Sequence, residues 1–356
     1  MNKILAICTS PDKGGLELYF VNMVNHYHKK NAVISVCRNN GEINKIIKSP
    51  VIRINKISIF NIFFSAFRLA KYIDEEKINI IHISWSKDLL LSVLIKILSN
   101  NDVSILYYRQ MKLTRLKKDF YHRFIYKRIK LILVITNNLL YECKMFLPIN
   151  EDRIKKLTYG VSIPKPGSVE SDSYELDRNF FNIGIFSRIE DQKGQHLVLE
   201  ALNLIPNKHI KLSIVGHCMD LAYMKNLKKM IAAYNMNDIV TFVPFVKEPM
   251  IIMSKIDLVI LPTYEETFGL VLAEAMMMGT PVIGSNAGGV PEIIDDGVNG
   301  LLFETKNYLS LKDKILLVYK NEELRKKLSN NAKIFAKENY DYEKHFSKLD
   351  KIYSEL

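Results

Sequence analysis

The stretch "IDLVILPTYEETFGLVLAEAMMMGTPVIGS", residues 256–285, holds one complete strand–helix–strand unit. "DLVILPT" is a short apolar run broken by a proline, as a buried strand requires. The apolar run that begins near Phe268-Gly269 extends to about Met278, and Gly279-Thr280-Pro281 stops it, which predicts a helix. "TPVIGS" then opens a second strand. Two strands joined by a helix of this length pair in parallel, and parallel pairing is the signature of an α/β sheet. Inside the helix, among Leu272, Ala273, Ala275 and Met276, sits Glu274. A carboxylate buried without a partner costs free energy, so this residue asks for a ligand.

Outward from this unit the same rhythm repeats. Strands are expected at Lys3–Cys8, Ala32–Cys37, Val51–Ile54, Ile78–Ile83, Ser104–Tyr108 and Leu131–Ile135. After a segment rich in Pro, Gly and Ser the rhythm restarts with "FNIGIFS", "IKLSIVG", "VTFVPFV", "IDLVILPT" and "TPVIGS". That break predicts a linker at residues 166–178 between two α/β domains, 1–165 and 179–338, with a cleft between them. The length of 356 residues suits two domains, and 48% hydrophobic residues suffice for two cores.

Bulk chemistry excludes several classes. Four dispersed cysteines without a C-x-x-C pair argue against a zinc site or disulfide framework and for a reducing, cytoplasmic compartment. The opening "MNKILAICTSPDKGG" has too short an apolar core for a signal peptide, and no uncharged run approaches the roughly 20 residues of a membrane span. The net charge of +12 is uneven: residues 1–170 carry 28 Lys+Arg against 13 Asp+Glu, and the remainder 22 against 25. Much of the excess lies in "YYRQMKLTRLKKDFYHRFIYKRIK", residues 107–130. An anionic partner for the first half is one reading and a solvated basic face the other.

Ligands of open parallel sheets bind beyond the carboxyl ends of the strands. After the first strand comes Gly14-Gly15 at a helix start, suited to close phosphate approach but not a G-x-G-x-x-G fingerprint. After the first strand of the second half, Arg188 and Lys193 stand in the loop "SRIEDQKG". In the opening stretch Glu266 lies in the loop and Glu274 two helical turns on. Between them the amides of Phe268, Gly269 and Leu270 form a helix N-terminus fit for phosphate oxygens. A carboxylate on each side of an anion-binding turn suits a nucleoside diphosphate sugar, with hydroxyls flanking its phosphates.

Glu266 and Glu274, with seven residues between, resemble the E-x7-E signature of family 4 glycosyltransferases. "ETFGLVLAEAMMMGTPVI", "SRIEDQKG", "IVG", "SNAGGVPEIIDDGVNGLLF" and "GGLELYFVNMV" are also similar to that family's wording. The resemblance implies two Rossmann-like domains facing across a cleft, the GT-B arrangement, with a C-terminal helix within 339–356 crossing back to the first. It implies sugar transfer from a nucleotide sugar, with retention at the anomeric carbon. The acceptor is expected to be a lipid-linked or cell-surface glycan such as lipopolysaccharide, capsule or glycolipid.

By the same resemblance Glu274 holds the ribose, Glu266 the donor sugar, and Arg188 and Lys193 the leaving diphosphate. Gly14, Gly15 and Gly216 belong to the donor site. The donor is expected to be a UDP-sugar rather than a GDP-sugar. The other main sugar-transferase fold uses D-x-D to hold a metal; no such pair occurs here, and no metal or other cofactor is expected.

Two departures stand out. Arg109-Gln110 occupies the place where similar enzymes carry a donor-contacting histidine, and the family's H-x-H is His82-Ile83-Ser84. His82 is expected as a packed strand-end residue, while His217 follows "IVG" near the place of the base. For the acceptor, Arg109, Lys117, Lys118 and His122 are the candidates. The basic stretch further suggests peripheral attachment to an anionic membrane at its inner face, or else binding of a phosphorylated acceptor. Nucleotide-sugar epimerisation and a nucleic-acid-directed transfer are the alternative functions. No recognisable nucleic-acid fold supports the latter, so no nucleic-acid partner is expected.

Overall fold

The computed structural model describes residues 2–164, 176–206 and 209–356. Residues 166–175 of the expected linker lie outside these. The chain divides into two compact units: Met1–Tyr159 with His345–Leu356, and Gly160–Lys344. Each is a parallel α/β layer structure of Rossmann-like kind.

In the first unit the strands are β1 (Ile4–Cys8), β2 (Val33–Arg38), β3 (Val51–Ile54), β4 (Ile80–Ile83), β5 (Ser104–Arg109), β6 (Leu131–Val134) and β7 (Ile154–Lys156). Helices α1 (Gly15–His28), α2 (Ile62–Glu76), α3 (Leu89–Leu98), α4 (Phe120–Tyr126) and α5 (Asn137–Phe146) connect them. The order is β3-β2-β1-β4-β5-β6-β7, parallel throughout.

The second unit holds β8 (Phe181–Phe186), β9 (Ile210–Val215), β10 (Val240–Val243), β11 (Leu258–Leu261), β12 (Val282–Ser285) and β13 (Leu301–Phe303). Its sheet runs β10-β9-β8-β11-β12-β13. Helices α6 (Gln195–Asn203), α7 (Leu221–Ala233), α8 (Pro249–Met253) and α9 (Leu270–Met278) alternate with the strands. Then follow α10 (Tyr308–Lys320), α11 (Glu322–Asn339) and α12 (Tyr342–Ser354).

Strand composition follows position in the sheet. Every residue of β1, β4, β6, β8, β11 and β12 is buried, because helices cover both faces of a parallel sheet. The edge strands β3, β7 and β10 each leave residues exposed, and β7 ends in two exposed lysines, Lys155 and Lys156. Three-residue β7 and β13 escape the sequence reading for that reason: one is mostly charged, the other too short to show a pattern.

Helix α12 carries its apolar side chains at Phe346, Leu349 and Tyr353, all buried within the first unit together with His345. Burial of three such side chains is worth about 1.5–3 kcal/mol each. Polar contacts fix the register. Tyr19 Oη meets His345 Nε2 at 2.8 Å, His82 Nδ1 meets Tyr353 Oη at 2.7 Å, and Tyr27 Oη donates to Asp350 at 2.9 Å. His82 is fully buried on β4, the packed strand-end residue the sequence suggests. Burial lowers His82 to about 3 and His345 to about 4, so both are neutral near pH 7.

Residues 160–164 and 341 belong to the second unit because Val161 bridges Asp341 and its N–H donates to the Tyr340 carbonyl at 2.8 Å. The first compact unit thus runs to Tyr159 and takes up the chain again at His345.

Candidate functional site

In the second unit the strand order reverses between β8 and β11, which lie side by side. Loops leaving the carboxyl ends of two such strands flank the crevice where α/β sheets bind ligands. The β8 loop carries Arg188 and Lys193, and the β11 loop carries Glu266. Their proximity is therefore a product of topology, although they lie far apart in sequence.

Lys193 Nζ meets Glu266 Oε2 at 2.9 Å, with side chains 16% and 23% exposed. The other carboxylate oxygen accepts the Thr267 N–H at 3.2 Å. The two loops are locked to each other by backbone. Tyr264 N–H donates to the Gln192 carbonyl at 2.9 Å, and Thr263 Oγ1 reaches the same carbonyl at 3.3 Å. Gly194 permits this approach: it has φ +66°, and a Cβ there would stand 2.2 Å from the Pro262 carbonyl oxygen.

A third loop holds Glu266 from behind, through glycines the sequence reading left without a role. Gly289 N–H donates to the Glu266 carbonyl at 2.8 Å. At Gly288, with φ +57°, a Cβ would meet that carbonyl oxygen at 2.0 Å, and at Gly289 one would meet the Thr267 carbonyl oxygen at 2.2 Å. Neither contact can relax through a flexible side chain, because the obstacle is backbone. Gly288→Ala is expected to destabilise the second unit by roughly 2 kcal/mol or more, the scale of backbone strain at special φ/ψ combined with a clash. Differential scanning calorimetry checks it: an unchanged melting temperature would show that the loop yields freely.

Arg188 stands apart from the Lys193–Glu266 pair. Its guanidinium is 57% exposed and bridges Glu190 at 2.9 Å. Its backbone is held by Gln195, fully buried, whose Nε2 donates to the Arg188 carbonyl at 2.8 Å and to Ser187 Oγ at 3.0 Å. Gln195 is thus a positioning residue that sequence reasoning missed; a polar side chain in the first turn after Gly194, facing the core, is its only signal. His196 is another, linking Tyr264 Oη at 2.7 Å to Tyr223 Oη at 2.8 Å across its two ring nitrogens.

Gly216 has φ +152°, and a Cβ there would lie 2.0 Å from the Ser187 carbonyl oxygen. Close packing of two loops accounts for that glycine without a ligand. Beside it His217 is exposed and stacked on Phe245, centroids 4.8 Å apart and planes 3° from parallel.

Helix α9 begins at Leu270, two residues later than Phe268, because Gly269 caps it in the left-handed region at φ +97°. The amides of Gly269 and Leu270 donate to no group among the described residues. Phe268 is 4% exposed, and its side chain packs edge-on against Tyr340. Glu274 is half-buried and has no hydrogen-bond or ion-pair partner among the described residues. Burial, and then the charge of Glu248, raise it to about 7 from its ordinary 4.5.

In the first unit, Gly14 caps α1 and its N–H donates to the Glu17 carboxylate at 2.8 Å, while a Cβ on Gly15 would meet nothing within 4 Å. Arg109 ends β5 and is 4% exposed, its Nη1 bonded to Tyr107 Oη and its Nη2 to the Lys112 carbonyl, both at 3.0 Å. That burial leaves it little reach toward an acceptor. Gln110 accepts from Tyr159 Oη at 2.7 Å. His122 is turned to Asp119, the cap of α4, at 2.5 Å. Lys117 is half-exposed, its amine held below the ordinary lysine range by burial and then by Arg109 and Arg115. Lys118 is exposed. A buried carboxylate went unread: Asp88, fully buried and raised to about 7 by burial, accepts the Thr9 N–H at 2.9 Å and the Thr9 hydroxyl. It ties the β1 loop to the β4 loop.

Among the described residues no cluster of three or more His, Cys, Asp or Glu is placed to hold a metal ion. Cys8, Cys37 and Cys143 are buried free thiols, and Cys218 is exposed.

Residues 170–335 match the family model described as glycosyl transferases group 1. An uncharacterized glycosyltransferase of Methanocaldococcus jannaschii is 34% identical over 178 residues, 49% of each chain. The chain thus spans about half the length of this curated relative. A capsular polysaccharide biosynthesis glycosyltransferase of Staphylococcus aureus, CapM, is 20% identical over 92% of this chain and 90% of its own. Among solved structures, the Anabaena protein HepE in complex with UDP superposes with a TM-score of 0.85 at 20% identity, covering 99% of this chain and 100% of that one. That likeness shows the fold.

Proposed function

We propose, from the premise that residues 170–335 are a domain of the glycosyl transferases group 1 family, that the protein moves a sugar from a nucleotide-sugar donor, with retention, to a lipid-linked or cell-surface glycan. The observation that carries this reading is Glu274: a half-buried carboxylate without a partner, one helix from the Lys193–Glu266 ion pair and two unengaged helix amides. A ribose diol supplies the two donors that carboxylate lacks. The Gly269 and Leu270 amides suit phosphate oxygens, and Glu266 suits hydroxyls of the donor sugar.

As the glycosidic carbon–oxygen bond breaks, its electron pair moves to the diphosphate. Lys193, mostly buried and paired with Glu266, and Arg188, exposed and paired with Glu190, are the cations that would receive this charge. Fixed cations in a partly dry site stabilise such charge more in the transition state than in the ground state. No step in this scheme calls for a metal. UDP is the favoured base carrier, in line with the UDP bound by HepE. The basic first half favours work at the inner face of an anionic membrane, where a lipid-linked acceptor would reside.

A donor screen tests the reading. In excess EDTA, one UDP-sugar is expected to raise the melting temperature and GDP- and ADP-sugars to do so less. A donor at a hundredfold excess over Kd stabilises by about 2.7 kcal/mol. Adding a membrane extract as acceptor should then yield sugar transfer at the same rate with and without EDTA. A rate that collapses in EDTA and returns with Mn²⁺ or Mg²⁺ would overturn metal independence. Conversion of the donor alone into an epimer would replace transfer by epimerisation.

A further inference from the structure

We propose that an open pocket beside α4, in the first unit, holds the phosphate headgroup of an anionic phospholipid. The pocket has a volume of about 700 Å³, and its charged walls are Lys118, Arg123, Lys127, Lys144 and Glu151. It rests on the membrane-face part of the proposed function and deepens it, by naming the residues of the first unit that would meet the lipid.

Lys144 and Glu151 neutralise each other at 2.8 Å. Lys118, Arg123 and Lys127 have no carboxylate partner among the described residues. Arg123 and Lys127 also stand four residues apart along one helical turn, where like charges repel. Three cations gathered without counter-charge are destabilising unless an anion joins them.

The backbone that carries them is fixed. Lys117 N–H donates to the Phe146 carbonyl at 2.9 Å, which ties the loop before α4 to the end of α5. Arg123 Nε donates to the Lys118 carbonyl at 2.9 Å, leaving its remaining nitrogens available to an anion. Such a cradle suits a phosphate, which accepts several charge-assisted hydrogen bonds at once.

Apolar residues beside the cations decide the source of that phosphate. Leu116 is 59% exposed, Phe120 86% and Tyr121 50%, all within the same run as Lys118 and Arg123. A free phosphate gives these side chains nothing to contact. A phospholipid does, because its headgroup reaches the cations while aromatic and aliphatic side chains enter the interface above the acyl chains. Elsewhere in the unit, Phe60 at 98% and Phe64 at 71% exposed offer further interfacial side chains.

Vesicle sedimentation tests this without any sugar donor, so its outcome is independent of the transferase reading. Wild-type protein is expected to bind vesicles of phosphatidylglycerol and phosphatidylcholine at least tenfold better than phosphatidylcholine alone, and to release in high salt. The triple variant Lys118→Gln, Arg123→Gln, Lys127→Gln should lose that preference while melting at or above the wild-type temperature, since the repulsion among the three cations is removed. Phe120→Ser should weaken binding severalfold while keeping the salt dependence. Equal partition of wild type and triple variant would overturn the proposal. So would inorganic phosphate at millimolar concentration displacing the protein from vesicles no better than chloride of equal ionic strength, since the pocket would then not recognise phosphate.

Discussion

Glu266→Gln is expected to lower the rate of sugar transfer by roughly 100- to 1,000-fold, the loss typical when one preorganised charge or hydrogen bond to a transition state is removed. Two effects combine. The neutral amide accepts more weakly from donor-sugar hydroxyls. It also leaves Lys193, 16% exposed and now 2.9 Å from a carboxylate, without its counter-ion. Lys193 would then reorganise before the leaving diphosphate arrives, so its charge is no longer fixed where charge develops. The fold should survive, because the Glu266 backbone is held by Gly289 and the loop by Tyr264, neither of which involves the carboxylate. Steady-state kinetics should show the loss in kcat with little change in the affinity for free nucleoside diphosphate. Near-normal kcat would remove Glu266 from the reaction.

Glu274→Gln is expected to do two opposite things. Affinity for nucleoside diphosphate should fall roughly 10- to 100-fold, as the loss of charge-assisted hydrogen bonds worth about 1.5–3 kcal/mol implies. Stability without ligand should rise, but only above pH about 4.5, and most at neutral and alkaline pH. In the folded protein this carboxyl titrates at about 7 rather than 4.5, so the fold prefers it protonated. The resulting penalty is absent below pH about 4.5, grows as pH rises toward 7, and is complete above it. Allowing for partial exposure, its size is on the order of 2 kcal/mol, given about 1.4 kcal/mol per pKa unit. The variant should therefore melt several degrees above wild type at pH 8 and level with it at pH 4. Calorimetry with free nucleoside diphosphate and melting curves at both pH values measure the two effects. Unchanged affinity together with an unchanged melting temperature at pH 8 would make Glu274 an ordinary helix-surface acid.

The opposition of these effects explains why the residue was legible at all. A glutamate inside "VLAEAMMM" breaks a local rule of burial, and such breaks are expected where a protein gives up stability for function. Strands buried on both faces were equally legible, as unbroken apolar runs. What the sequence hid was contact across loops. Nothing local in "SNAGG" says that Gly288 and Gly289 lie against the Glu266 backbone, nor that Gln195 carries the Arg188 loop. The same blindness affected Arg109, whose charge suggested a ligand while its guanidinium turned inward to Tyr107 and Lys112. Asp88 was missed because a single acid before a helix reads as a cap, and its bond to Thr9 spans two strands' loops.

Helix α12 has a consequence for how the molecule is made. The residues that close the face of His82, Tyr19 and Tyr27 lie beyond residue 344, after the whole second unit. A ribosome releases the chain from its amino end, and domains fold as they emerge. The first unit therefore emerges incomplete, with three buried aromatic groups still lacking their partners, while the second is translated and can finish on its own. Its final step is a long-range closure, the slow kind by contact order. Loss of residues 345–356 would thus injure the half of the protein encoded first, and spare the half encoded between.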